Sequence, residues 1–94
     1  MNIEFIKSVD LPKKENKVFN VEYYLCTPEI ESENLAKKEY EILLIKRDIT
    51  SIVDVAYNKS PYKDRNKTLE FIKILYETET TPASITDILQ DINK

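Results

Sequence analysis

The chain of 94 residues has room for a single hydrophobic core, and its 41% hydrophobic and 33% charged residues are typical of a folded protein. No apolar run reaches the ~18 residues that cross a bilayer, and the first four residues lack the basic and then apolar order of a signal peptide. The net charge of −3 argues against general nucleic-acid binding, which needs a basic face. We therefore expect one cytoplasmic domain over residues 1–94, with a radius of gyration of roughly 12 Å.

The chain contains neither His nor Gly. Without His there is no Ser-His-Asp or Cys-His pair and no imidazole ligand for a metal. Without Gly there is no P-loop, dinucleotide fingerprint or nucleophile elbow. The one cysteine, Cys26, lies in a strand-like stretch, which predicts a small buried side chain rather than a reactive thiol. We therefore expect no enzyme activity, no cofactor and no metal.

The first strand is predicted over residues 3–9, where Ile3, Phe5 and Val9 fall on one side. Residues 13–16 then predict a hairpin loop, because they are polar and follow a proline.

The second strand has the clearest alternation, and one of its faces is fully apolar. That face carries Phe19, Val21, Tyr23 and Leu25. The pair Thr27 and Pro28 predicts the end of this strand, since proline donates no hydrogen bond to a sheet.

The segment from Glu29 to Glu39 is strongly charged, which predicts a solvated connection or one helical turn around Leu35. Its acidic run consists of Glu29, Glu31 and Glu33. Such a run could imitate DNA phosphates or coordinate a hard cation. The spacing matches no calcium loop, so a solvated loop is the favoured interpretation.

The third and fourth strands follow at residues 40–47 and 51–57. Residues 42–45 are apolar in succession, which predicts a central strand covered on both faces. On the fourth strand one side carries Val53, Val55 and Tyr57, and the other carries Ile52, Asp54 and Ala56.

Helical spacing begins after residue 60. The first helix starts either at Pro61 or nearer Asn66, and we favour the later start. For the second helix, Thr81 is the expected N-cap and Pro82 the first helical residue. Its apolar stripe is Ile85, Ile88, Leu89 and Ile92. The order of elements predicts an α+β fold, in which an antiparallel sheet of about four strands, formed as two hairpins, precedes two C-terminal helices.

Three segments resemble a known group of sequences: 21–25 (VEYYL), 40–42 (YEI) and 81–92 (TPASITDILQDI). They are similar to short uncharacterised proteins of clostridial-type, low-G+C bacteria, which form a domain of unknown function. The resemblance covers most of the chain. It implies the fold and a bacterial source, and it implies no activity.

Residues 59–67 hold four of the 14 basic residues around Tyr62. Arg65 and Lys63 could contact a phosphate or an acidic partner, with Tyr62 as a stacking surface. A solvated connection without a binding role is the favoured interpretation, because isolated basic loops are common.

We expect the apolar face of the second strand and the Val53 side of the fourth to face the helices. The opposite face then keeps Tyr24, Cys26, Ile52 and Ala56, with either Ile42 and Leu44 or Leu43 and Ile45. An apolar second face predicts a surface for a protein partner or for self-association, with Tyr24 as its anchor, unless a helix crosses over to cover it.

These observations favour a non-enzymatic, protein-binding or regulatory module of a bacterium. The alternative is a phage or mobile-element inhibitor of a host defence nuclease, which would use Glu29, Glu31 and Glu33 as a nucleic-acid mimic.

Overall fold

The structure is a computed structural model that describes residues 1–14, 17–28 and 39–92. It contains four strands, β1 (Asn2–Lys14), β2 (Lys17–Thr27), β3 (Glu41–Arg47) and β4 (Ile52–Lys59), followed by helices α1 (Arg65–Glu77) and α2 (Pro82–Ile92). All strand pairs are antiparallel, and the order in the sheet is β1-β2-β3-β4. The predicted α+β fold is confirmed.

Both helices pack on the same face of the sheet, which we call the helix-covered face. Helix α1 lies against β1 and β2, and α2 lies against β3 and β4. The core contributed by the strands is Val21, Tyr23, Leu25, Ile42 and Leu44. The core contributed by the helices is Phe71, Ile72, Leu75, Ile85 and Leu89. The alternation of β2 therefore predicted its buried face correctly.

The side of β4 that faces the helices was predicted wrongly. Val55 and Tyr57 lie on the opposite face, where they are 50% and 47% exposed, and Ala56 packs against the core instead. Both sides of this strand are apolar, so alternation fixes its phase but not which side is covered. Since α2 packs close to β4, the small Ala56 leaves room for it. Val53, also predicted to face the helices, lies at a register shift and is 47% exposed.

A β-bulge changes the phase of β1. The register shifts between Phe5 and Lys7, so Ile6 is an extra residue on this strand. Ile3 and Phe5 consequently lie on the face opposite to Val9, although the three were predicted to share one side. Ile6 turns towards the core and is partly buried there.

The β1–β2 hairpin is longer than predicted, because β1 continues to Lys14 and takes in residues expected to form the loop. Residues 15–16 lie outside the described residues. So do the predicted helical turn around Leu35 and the acidic run of Glu29, Glu31 and Glu33.

The start of α1 confirms the later of the two predicted positions. The Asp64 carboxylate caps the helix by accepting a hydrogen bond from the Asn66 N–H at 3.4 Å. Helix α2 begins at Pro82 as predicted, and Ser84 Oγ accepts from the Thr81 N–H at 3.0 Å. Neither helix in the described part of the chain has the length and apolar character needed to cross a membrane.

Candidate protein-binding face

The face of the sheet away from the helices carries large apolar side chains on every strand. We call this surface the open face. Its apolar residues are Ile3, Phe5, Tyr24, Leu43, Ile45, Ile52, Val55 and Tyr57. An antiparallel sheet with one solvated face normally alternates apolar and polar residues, which keeps the wet side polar. The open face departs from that rule.

One row of this face runs across all four strands. Phe5 lies opposite Tyr24, Tyr24 opposite Leu43, and Leu43 opposite Tyr57. The rings of Phe5 and Tyr24 meet edge to face, with centroids 5.6 Å apart. Phe5 and Tyr57, at the two ends of the row, are 55% and 47% exposed, whereas Tyr24 and Leu43 between them are partly buried. The row is therefore continuous from one sheet edge to the other.

The apolar surface continues on both sides of that row. Ile3, beside it on β1, is 53% exposed. On the other side, Val55 lies opposite Ile45, and Ile52 at the start of β4 is 51% exposed. These side chains extend the surface along the strands as well as across them.

Several charged residues lie on or next to the open face, and one of them, Asp10, accepts a hydrogen bond from the Asn20 side-chain amide at 3.0 Å. Arg47 Nε donates to Glu22 Oε1 at 2.6 Å, and this hydrogen bond raises the pKa of the guanidinium. Desolvation, followed by the Glu22 charge, raises the pKa of the Tyr24 hydroxyl, and Arg47 partly opposes this effect. At the other end of the sheet, Lys59 lies opposite Glu41, and its Nζ forms an ion pair with Glu39 Oε2 at 3.2 Å.

The Tyr57 hydroxyl donates a hydrogen bond to Met1 Sδ at 3.3 Å. Desolvation, followed by a hydrogen bond and charge interaction with Glu41, raises its pKa to about 12. Cys26 is on the same side but is fully buried, as predicted. Burial, followed by the Glu41 charge, raises the pKa of its thiol, so the thiol stays protonated at neutral pH and is a poor nucleophile.

Of the predicted site residues, Tyr24 lies at the centre of the open face. Arg65 lies on the other side of the sheet, where its Nη2 contacts both carboxylate oxygens of Glu4 at 2.9 and 3.0 Å. Glu4 is opposite Leu25 and so belongs to the helix-covered face. The guanidinium of Arg65 thus joins α1 to β1 within the chain, and the structure does not bring it together with Tyr24.

Tyr62 and Lys63 lie in the connection between β4 and α1. The Tyr62 ring packs edge to face on Phe71, with centroids 6.0 Å apart, and Lys63 is exposed. Tyr62 also lines a shallow groove of about 240 Å³ on α1, which holds one cation, Lys67, and one carboxylate, Glu70. Because the two charges are opposite, the groove has no net positive charge that would attract a phosphate.

Four strongly exposed members of the open face were not predicted from the sequence: Ile3, Phe5, Val55 and Tyr57. A signal for Phe5 was present, because Ile6 breaks the alternation of β1 and an extra apolar residue of this kind marks a bulge. No comparable signal distinguishes the two sides of β4.

Metal-ligating and buried polar side chains were compared across the described residues. Within 1–14, 17–28 and 39–92 no three Asp, Glu or Cys side chains gather closely enough to hold a metal ion. In that same part of the chain every buried side-chain nitrogen or oxygen has a hydrogen-bond partner.

A family model described as a family of unknown function (DUF6514) matches residues 2–94. The chain belongs to this family. Membership of DUF6514 agrees with the resemblance to an uncharacterised group, and the clostridial source stays a prediction. None of the curated proteins and none of the solved structures matches the chain. The description of the family assigns no activity to its members.

Proposed function

We propose that this chain is a non-catalytic protein-binding module that acts through its open face. The observation that carries the proposal is the exposure of five large apolar side chains on one side of one sheet. They are Ile3, Phe5, Ile52, Val55 and Tyr57, each 47–55% exposed. A large aromatic side chain buries ~150–250 Å² when fully covered, so five half-exposed groups present on the order of 400–500 Å². Monomeric proteins rarely expose contiguous apolar patches larger than a few hundred Å², and the largest patch of a protein is often functional.

The composition of the row supports contact with a protein. Tyrosine and phenylalanine contribute strongly to interface energetics, and anchors are most effective near the centre of a contact, where water is excluded. Tyr24 has such a place, since Phe5 covers one side of it and Leu43 the other. We therefore keep Tyr24 as the anchor and add Phe5 and Tyr57 as the flanking contacts.

The backbone of the open face is a preformed platform. Its side chains are fixed on paired strands, and the helices hold those strands from behind. Little ordering entropy is then lost when a partner binds. We expect this binding to occur in the cytoplasm, where a single protonated thiol stays reduced.

Photo-crosslinking in the host cell tests this proposal. A benzophenone amino acid replaces Tyr57 on the open face in one variant and Ile74 in a matched control, because Ile74 on α1 is 57% exposed. We expect adducts from position 57 and none from position 74. The added substitution Val55→Asp should abolish the position-57 adducts by placing an unpaired charge in the contact. Equal adducts from both positions, or none from position 57, would contradict the proposal.

A further inference from the structure

We infer that the occupant of the open face is a second copy of this chain, packed face to face in a twofold-symmetric dimer with the layer order helix, sheet, sheet, helix. The inference rests on the proposed function for the location of the surface, and it adds the identity of the partner. Three features of the described residues support it: the symmetry of its aromatic row, the size of the face and the blocked edges of its sheet.

The aromatic row has a large aromatic ring at each end, so a copy turned end to end presents a matching row. It begins with Phe5 on β1 and ends with Tyr57 on β4, with Tyr24 and Leu43 between them. A twofold axis that runs parallel to the strands, between β2 and β3, places Phe5 of one copy against Tyr57 of the other and Tyr24 against Leu43. Phe5 of each copy then meets Tyr57 of the other, which is the reciprocal pattern of an isologous contact. Two sheets pack in this way ~10 Å apart, with their strands within about 30° of each other.

The size of the face is sufficient for a modest dimer. The apolar groups of two copies together bury on the order of 800–1,000 Å², estimated at ~100 Å² for each half-exposed side chain. The polar rim then brings the total near the ~1,000–1,200 Å² that separates specific contacts from crystal-like ones. We therefore expect a dissociation constant in the micromolar range rather than an obligate dimer.

The sheet edges are less suited to self-association than the face. On β4, Asp54 Oδ1 accepts a hydrogen bond from the Val55 N–H at 2.9 Å, which occupies an amide that an incoming strand would need. On β1, the bulge at Ile6 and the proline at position 12 interrupt a regular ladder. Both devices are typical of edges that resist pairing.

Sedimentation equilibrium of the purified chain tests the inference. Over ~1 to ~300 µM the wild type should pass from the monomer mass of 11.1 kDa to twice that mass, since interfaces of this size reach micromolar affinity. Phe5→Asp and Val55→Asp lie on opposite edge strands, and each should raise the dissociation constant at least ~30-fold, as the loss of an interface anchor does. Ile74→Asp is the matched control and should leave it unchanged. Circular dichroism checks that each variant is folded, and Ile3→Asp replaces any that is not.

The outcomes separate the two proposals. If the wild type stays monomeric while position 57 still yields adducts with a different protein, the second copy is the wrong partner and the proposed function stands. If a dimer forms but ignores both Phe5→Asp and Val55→Asp, the open face is not its interface and the inference fails. If the wild type is monomeric and position 57 yields no adducts, both proposals are wrong.

Discussion

The Tyr23 side chain connects three parts of the molecule. It is fully buried on β2, its ring meets that of Tyr76 on α1 edge to face at 6.2 Å, and its hydroxyl donates a hydrogen bond of 2.7 Å to the Thr80 carbonyl. Thr80 lies between α1 and α2 and is itself buried. A single phenol thus satisfies a buried carbonyl in the turn that sets the direction of α2.

We predict that Tyr23→Phe lowers the free energy of unfolding by ~1–3 kcal/mol, because the buried Thr80 carbonyl loses this donor and keeps its desolvation cost. Urea denaturation measures the change. Tyr24→Phe is the control, since its hydroxyl lies on the partly solvated open face beside Glu22 and should cost less than Tyr23→Phe. Equal costs for the two variants would show that the Tyr23 hydrogen bond adds no stability.

The tyrosines also predict how stability depends on alkaline pH. Burial, followed by the Glu79 charge, raises the pKa of Tyr23 to about 12, and that of Tyr57 is raised to about 12 as well. The unfolded chain releases these protons near the ordinary pKa of 10.0, so between pH 10 and pH 12 the folded state holds more protons. Stability is therefore full below pH 10 and falls as the pH rises through this window.

Absorbance at the phenolate wavelength, followed against pH beside circular dichroism, measures both effects. Tyr23 should ionise only together with unfolding, and Tyr23→Phe should reduce the loss of stability above pH 10. Ionisation of Tyr23 near pH 10 in a folded chain would contradict the burial of its hydroxyl.

At the scale of the elements, α1 ends in a Schellman motif built without glycine. The Thr80 N–H donates to the Leu75 carbonyl at 2.9 Å and the Glu79 N–H to the Tyr76 carbonyl at 3.3 Å. This arrangement requires left-handed backbone at Glu79, where φ is 54°. The left-handed region costs a residue with a side chain ~1–2 kcal/mol, and glycine avoids that cost.

We predict that Glu79→Gly raises the free energy of unfolding by ~0.5–1 kcal/mol, because relief of this strain exceeds the added entropy of the unfolded chain. Lys73→Gly, on the exposed side of α1, is the matched control and should lower stability by ~1 kcal/mol. Denaturant midpoints measured for both variants check the prediction. A loss of stability in Glu79→Gly comparable to that in Lys73→Gly would contradict it.

The elements whose apolar residues keep one regular spacing from end to end could be predicted from the sequence. The alternation of β2 and the proline at the start of α2 each correspond to one physical preference, and the structure follows both. The stripe of α2 was predicted too long, since Ile92 at the helix end is 39% exposed. Strand β1 was misassigned because a bulge at Ile6 shifts its phase, and β4 because both its sides are apolar. A bulge and the choice of side both depend on the neighbouring strands and helices, which local patterns do not contain.

The same limits apply to the candidate site. Tyr24 was placed on the second face correctly, because β2 has a clear phase. Phe5 and Tyr57 were not placed there, because they lie on the two strands whose orientation was wrong. Arg65 was predicted to contact a phosphate or an acidic partner, whereas it pairs with Glu4, which is 61 residues away in the chain. Such a long-range pair cannot be recognised from local sequence.

At the scale of the whole molecule, the structure is a thin, elongated slab. Its radius of gyration is 14.3 Å, against the roughly 12 Å expected for a compact chain, and its extents are 51 × 29 × 17 Å. The length follows from the β1–β2 hairpin, which extends beyond the rest of the sheet because Asn20 is the first residue of β2 with a partner on β3. The smallest extent matches one helix layer on one sheet, whose centres lie about 10 Å apart. Because the helices cover one face of the sheet, its other face is open to solvent over much of its length.

The central claim, that the open face is where one copy meets another, is tested most directly by methyl NMR spectra of the wild type over a dilution series. The account predicts concentration-dependent shifts for the methyl groups of Ile3, Leu43 and Val55 on the open face. The methyl groups of Ile49 and Ile74, which are exposed elsewhere, should not move. Shifts at Ile49 or Ile74 with none on the open face, or spectra that do not change with concentration, would contradict it.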